Sequence, residues 1–279
     1  MTDKGCLFLC ATPIGNLGDI TLRVLETLRE ADIIACEDTR QTRKLLSRFQ
    51  ISKPLTSYFE HNQEYKGEII LEMLREGKKV ALVSDAGMPG ISDPGSQLVT
   101  SCIEEGLEFY VLPGASAATT ALVLSGFDTR RYCFEGFLER KEKEKKKRLA
   151  ELKNEERTLI FYEAPHRLQA TLESMKEIWG AERRIAVCRE LTKKFEEVYR
   201  GSIEEARTYF AEKGIKGEFV LVVQGAEPIV EERGLGWAEA RFAALVATGI
   251  SPKEAVKQAA NEADISKREL YEKVMVKGK

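Results

Sequence analysis

Four short segments concentrate small residues beside one or two polar side chains: Ala11 to Asn16, Ser84 to Gly95, Pro113 to Ala117 and Tyr162 to Arg167. Gly and Ala let backbone amides approach a ligand closely, while Asp and Ser add a few directed hydrogen bonds. Each segment follows an apolar run that reads as a strand, which is where open α/β sheets place their ligands. Nucleotide alternatives fail on spacing. Gly90-x4-Gly95-Ser96-Gln97 lacks the Lys that would reach the outer phosphates of a nucleoside triphosphate, and Gly15 with Gly18 lacks the Gly-x-Gly-x-x-Gly that seats a dinucleotide pyrophosphate. The two histidines, His61 and His166, form no recognisable metal motif and no hydrolase arrangement, so no metal is expected.

The elements that must hold these loops alternate along the chain. Leu7 to Ala11, Ile33 to Cys36, Val80 to Ser84 and Phe109 to Leu112 read as strands of a largely parallel sheet. Between them, Leu22-Val24-Leu25-Leu28, Leu45-Leu46-Phe49 and Ile69-Ile70-Met73-Leu74 put apolar residues at helical spacing. After Pro113-Gly114 a second series starts with a helix across Ala117 to Leu124, then strands at Tyr132 to Phe134, Leu159 to Tyr162, Ile185 to Cys188 and Phe219 to Val223. Two α/β domains are expected, over 1–113 and 114–226, with no tandem repeat between them. An acidic linker then leads to a helical, helix-turn-helix-like tail over 235–279, with helices at Trp237 to Val246, Lys253 to Asn261 and Lys267 to Met275. That tail suits either a helical cap or dimer contact, or RNA docking.

A chain of 279 residues, 43% hydrophobic and 32% charged, can bury a sizeable core. No apolar run approaches the roughly 20 residues that span a bilayer, and Met1 to Gly5 lacks a signal-peptide layout, so no membrane role and a cytoplasmic location are expected. The six scattered cysteines read as reduced core residues. A net charge of −2 confines any polyanion site to a local patch, such as Arg140 to Arg148, where seven basic residues accompany two acidic ones.

Taken together, Ala11 to Asp19, Cys36-Glu37-Asp38-Thr39-Arg40, His61-Asn62, Ser84 to Gly87 with Ile91 to Gly95, Pro113 to Ala117, Tyr162 to Arg167, Arg189 to Lys193 and Gly217 to Phe219 resemble the tetrapyrrole methylase superfamily. The likeness is to its ribosomal RNA branch more than to its tetrapyrrole-binding branches. One segment departs from that branch: Gly136-Phe137-Leu138-Glu139-Arg140-Lys141 has Glu139 where a Pro is usual.

The resemblance implies a two-domain class III methyltransferase fold with a small helical module. It implies S-adenosylmethionine in the cleft between the domains, a homodimer, and 2′-O-methylation of cytidine 1402 of 16S rRNA in the small ribosomal subunit. Cofactor contacts would fall on Pro13, Gly15, Asp85, Ala86, Gly87, Ile91, Ser116, Ala117, Tyr162, Glu163, Gly217, Glu218 and Phe219. Asp85 is the first candidate to grip the cofactor, and Ser116 and Ala117 would meet its amino-acid end at a helix N-terminus. Helix capping is the alternative explanation of the Asp85 loop and of Glu163, with cofactor contact favoured by the resemblance. Asp38, Glu190 and Lys193 are the catalytic candidates, Lys193 as a base only if its pKa is lowered. Arg40, Arg43, Tyr58, His61, Asn62, Arg140, Lys141 and Arg189 are the RNA-binding candidates, Tyr58 as a platform for an unstacked base. Two alternatives stay open: a methyltransferase of the same superfamily acting on a tetrapyrrole or protein, and a non-catalytic RNA-binding assembly factor.

Overall fold

The computed structural model describes residues 5–228 and 233–276. Met1 to Lys4 and the linker residues 229–232 lie outside them. Contacts divide the chain into two units, 1–226 and 227–279.

The first unit contains both α/β series, each building its own five-stranded sheet. In the first sheet the strands are β1 (Cys6–Cys10), β2 (Ile33–Cys36), β3 (Leu55–Ser57), β4 (Lys79–Val83) and β5 (Glu108–Leu112). They are ordered β3-β2-β4-β1-β5 and all run parallel. Alternation decides which side chains go where. Cys10, Ile34, Cys36, Ala81 and Val83 face α1 (Leu22–Glu30) and α2 (Thr39–Arg48), whereas Leu7, Leu9, Ala35, Val80 and Leu82 face α3 (Gln63–Arg75) and α4 (Ser96–Glu105). Thr21 starts α1 by accepting the Val24 N–H, and Asp38 starts α2 by accepting the Arg40 N–H.

The second sheet comprises β6 (Tyr132–Phe137), β7 (Thr158–Glu163), β8 (Arg184–Arg189), β9 (Glu197–Ser202) and β10 (Phe219–Val223), in the order β6-β7-β10-β8-β9. Only the β6–β7 pair is parallel; β10 runs antiparallel to both its neighbours. Residues Phe219, Leu221 and Val223 face α6 (Glu142–Glu151), α7 (Leu168–Trp179) and α8 (Ile203–Lys213), while Val220 and Val222 face α5 (Ala117–Ser125). Covered on both sides, β10 is buried along its whole length, and each of its side chains contributes about 1.5–3 kcal/mol by leaving water. The helix α5 follows the last strand of the first sheet yet packs on the second, so it ties the two lobes together.

The second unit holds α9 (Leu235–Ala247), α10 (Pro252–Glu262) and α11 (Lys267–Tyr271), closed by Ala238, Leu245, Ala255, Val256, Ala259 and Leu270. Ser251 caps α10 and Pro252 occupies its first position. A π-helical turn, Glu272–Val276, continues α11 where a single helix to Met275 was expected.

Candidate active site

Strand direction assembles the site. Parallel pairing brings the C-terminal ends of β1, β4 and β5 together, so their three small-residue loops emerge on one edge of the first sheet. In the second sheet Phe219, opening β10, lies opposite both Glu163 and Arg189, which close β7 and β8. A cleft of about 390 Å³ lies between these two edges. Asp85, Ala86, Gly87, Ile91, Ser116, Ala117, Tyr162, Glu163, Glu218 and Phe219 all line it. Sequence reasoning did not single out the further lining residues Ile14, Met88, Ser92, Asp93, Phe137, Ala164, Pro165 and Val220. Ile14, Met88, Ser92, Asp93, Ala164 and Pro165 lie within the small-residue loops, and Phe137 lies in the Gly136 to Lys141 segment, beyond the strand expected to end at Phe134.

The first two loops are stapled. Thr12 and Gly87 exchange backbone hydrogen bonds of 2.8 and 3.1 Å, and the Thr12 hydroxyl donates to the Ser84 carbonyl at 3.1 Å. The Asp85 carboxylate accepts the Asp38 N–H at 3.2 Å. Burial pushes the Asp85 carboxyl above its ordinary pKa, and the nearby Asp38 charge adds to the shift. Burial does the same to Asp93, where Asp85 adds repulsion. Two carboxylates in one wall favour a cationic guest.

Opposite them, α5 begins at Ser116, whose side chain makes no capping bond. Its first N–H groups and positive dipole end therefore face the cleft, except that the Ala118 N–H is taken by the Tyr162 hydroxyl. Phe134 and Phe137 pack edge-on against the Tyr162 ring at 5.0 and 5.5 Å. The Glu163 carboxylate is turned inward: it accepts from Thr171 and from the Ala164 N–H at 2.8 Å, and Arg167 stands 3.4 Å away. Glu163 is 3% exposed, so its charge orders the turn after β7, in line with its capping explanation.

Two further cavities flank the cleft. One, of about 420 Å³, shares Ile14, Asp85, Ala86 and Glu218 with it and adds Pro13, Gly15, Leu17, Gln41, Lys44 and Lys193. The other, of about 990 Å³, shares Phe137 and Ala164 and is lined by His61, Arg140, Lys141, His166 and Arg167 among others. Arg167 donates to the Leu138 and Glu139 carbonyls at 2.6 and 3.0 Å, which fixes the segment carrying Arg140 and Lys141.

The model of the tetrapyrrole (corrin/porphyrin) methylases matches residues 7–207. This chain belongs to the tetrapyrrole methylase family. A relative named "Ribosomal RNA small subunit methyltransferase I" from Halalkalibacterium halodurans is 50% identical over 96% of this chain and 94% of its own. Its namesake from Bacillus subtilis is 49% identical over 99% and 96%. Among solved structures, the methyltransferase CobJ superposes with a TM-score of 0.61 at 22% identity, over 80% of this chain and 95% of its own. Cobalt precorrin-4 methyltransferase gives 0.60 at 17%, over 79% and 94%. These two show the shared fold.

Methylases of this family imply S-adenosylmethionine, and the cleft fits it. The N-terminus of α5 and the uncommitted Ser116 hydroxyl suit a carboxylate, Asp85 and Asp93 suit a cationic group such as the ammonium or the sulfonium, and Ile14, Ile91, Phe137 and Phe219 supply apolar walls.

Several expected contacts fall elsewhere in this methylase. Pro13 and Gly15 line the neighbouring polar cavity, away from the cofactor cleft, because the first loop turns toward the second lobe. A Cβ on Gly15 would stand 2.5 Å from Lys193 Cγ and 2.8 Å from the Leu191 carbonyl, so this glycine serves a close approach of two loops. Gly217 lines neither cavity; at φ +92° it packs against the Glu190 carboxylate.

The catalytic candidates are likewise redistributed. Asp38 caps α2, its carboxylate forked by Arg40, whose hydrogen bonds hold the carboxyl down at about 2. It is thus a poor base. Lys193 Nζ bonds Glu190 and Glu218, each at 2.9 Å. Burial alone would lower the Lys193 pKa, but these two carboxylates outweigh it and raise it, which favours an orienting or phosphate-holding role for Lys193 over that of a base. Burial would raise Glu190, but hydrogen bonds from Lys193 and the Glu218 N–H, together with the Lys193 and Arg189 charges, lower it overall. Glu190 positions Lys193 and lines neither cavity.

Of the RNA candidates, His61, Arg140 and Lys141 share the large cavity. Tyr58 is 1% exposed and packs with Ile70, Leu74 and Cys102, so it is a core residue and no stacking platform. Asn62 bonds the Phe59 N–H and the Ser57 carbonyl, shaping a 3-10 turn. Arg189 is only 18% exposed at its side chain, lies over Phe219 and faces Glu197 at 3.5 Å, which takes it away from a phosphate. Arg40 is tied to Asp38, and Arg43 stands exposed on α2. The basic run also thins out: Lys145, Lys146 and Arg148 are paired with Glu142, Glu177, Glu135 and Glu151.

Proposed function

We propose that this chain methylates the 2′-hydroxyl of cytidine 1402 in 16S rRNA, drawing the methyl group from S-adenosylmethionine, with the small ribosomal subunit as partner and a homodimer as the working form. The observation that carries the reading is the identity of about 50% over nearly the whole chain to relatives named for small-subunit ribosomal RNA methylation. The large cavity with His61, Arg140 and Lys141 beside the cofactor cleft supports an RNA strand as acceptor.

When bound, the cofactor would supply an electrophilic methyl on a sulfonium, the hydroxyl oxygen taking the methyl, sulfur keeping the electron pair of the broken carbon–sulfur bond, and the hydroxyl proton passing to solvent water. The protein's own contribution is alignment. Ser116 and the α5 N-terminus would hold the carboxylate, Asp85 and Asp93 would face a cationic group of the cofactor, and Ile14, Ile91, Phe137 and Phe219 would exclude water. Lys193, bonded to two carboxylates that raise its pKa, is suited to orienting groups.

The test is transfer of a labelled methyl group to unmodified small subunits and to free rRNA, followed by nuclease mapping, with Asp85→Ala as control. Label on the decoding-region cytidine, lost in the control, is expected. Tight cofactor binding without label on either RNA would sink the reading and direct attention to tetrapyrrole or protein acceptors.

A further inference from the structure

The polar cavity on the other flank of the cleft differs in chemistry from the cofactor site. Its walls include the Gln41 amide, the Lys44 and Lys193 ammonium groups set against the Asp85 and Glu218 carboxylates, and an apolar side formed by Leu17 and Leu45. At about 420 Å³ it lies within the range of small-molecule sites. Four residues of the cofactor cleft, Ile14, Asp85, Ala86 and Glu218, also form its wall, so its guest would lie beside the cofactor.

We propose that this cavity seats the acceptor nucleotide, with Lys44 and Lys193 gripping its phosphate and Leu17 and Leu45 against its sugar and base. The inference rests on the rRNA methyltransferase reading and deepens it. Lys44, on α2, has no carboxylate partner among the described residues; its bond is a long one, 3.3 Å, to Gln41. An unpaired cation in a concave polar wall suits a phosphate. Lys193 comes from the other lobe and is aimed by its loop. Glu190 and Thr192 both adopt left-handed backbone, at φ +52° and +65°, and for a β-branched Thr that is an outlier. The buried Thr192 hydroxyl has no hydrogen-bond partner. What sustains this conformation is the Glu190 carboxylate, which binds the Lys193 ammonium and the Glu218 N–H, together with the contact on Gly15. Glu190 keeps Lys193 in place, and the proposal requires Glu218, 74% exposed at its side chain, to give up Lys193 to the phosphate.

The test uses the full chain with small ribosomal subunits. Lys44→Gln, an exposed helix substitution, is expected to raise KM for the subunit by about 3–10-fold and to flatten the salt dependence of RNA affinity by about 0.7–0.9 in log–log slope. Cofactor affinity, measured by calorimetry, should stay at the wild-type value. Lys193→Gln should give the same pattern with a larger KM. Wild-type KM and salt slope for Lys44→Gln, together with a raised KM for Arg140→Gln, would overturn the proposal and put the acceptor in the large cavity beside His61. Absence of label from rRNA with the wild-type chain would instead remove the function on which it rests.

Discussion

Single side chains in the cleft are held at a cost to the fold. Burial raises the Asp85 carboxyl, so the native state ionises it less readily than the unfolded chain does. Stability from this residue is therefore greatest at acidic pH and declines as pH rises through its ordinary and then its raised value. Asp85→Asn keeps an oxygen for the Asp38 N–H and removes the charge. At pH 7 we expect a small rise in Tm, about 1 °C because the position is partly exposed, and at least a tenfold loss of cofactor affinity; scanning calorimetry and titration calorimetry read the two. Thiols offer a second check. Burial pushes Cys10 and Cys188 up to about 12, and of six cysteines only Cys133 is not buried. A thiol reagent at pH 8 should titrate at most one cysteine in the native protein and six after denaturation. Residue types alone disclosed the cofactor-cleft loops, because small residues cluster where a ligand must approach backbone. They concealed the pairings: nothing in Asp38-Thr39-Arg40 distinguishes a catalytic acid from a capped helix start, and Tyr58 among polar neighbours gives no sign that its ring turns inward.

Among elements, contacts between loops matter more than any one of them. Gly15→Ala should displace Lys193 by about an ångström and lower methyl transfer by roughly 100-fold while leaving cofactor affinity unchanged. Wild-type turnover in that variant would show the two loops to be independent. Tyr58→Ala should cost about 3 kcal/mol in denaturant unfolding and leave RNA affinity intact, since the ring fills the layer between the first sheet and α3. Continuous apolar runs exposed the central strands to sequence reading. Missed were β3, a strand of three residues directly after Pro54, and β9, whose Glu197-Val198-Tyr199-Arg200 sets two apolar side chains next to each other with no alternation. Short edge strands owe their existence to a neighbour already in place, and no local pattern encodes that neighbour.

For the molecule as a whole, every residue lining the cofactor cleft lies within the first unit. A chain ending at Ala226 should fold and bind S-adenosylmethionine with wild-type affinity; loss of binding would give the helical module a part in the site. Acid stability follows from the paired carboxylates. Arg130 holds Asp128, Arg157 holds Glu155, and Arg207 with Lys176 holds Glu204, each at about 2. Depressed values contribute stability above the ordinary carboxylate range and lose it as pH falls through the folded pKa, so Tm should drop steeply between about pH 4 and pH 2. The strand β10 is the last of the first unit in sequence and the middle one of its sheet. During synthesis the first lobe has all its strands once Leu112 has emerged, whereas β7 and β8 must wait, edges open, for a partner that begins at Phe219, well after β8 ends at Arg189. Because that late strand also carries Phe219 and Val220 into the cleft, a nascent chain cannot complete its cofactor site before the second lobe is finished, and premature products are born inactive.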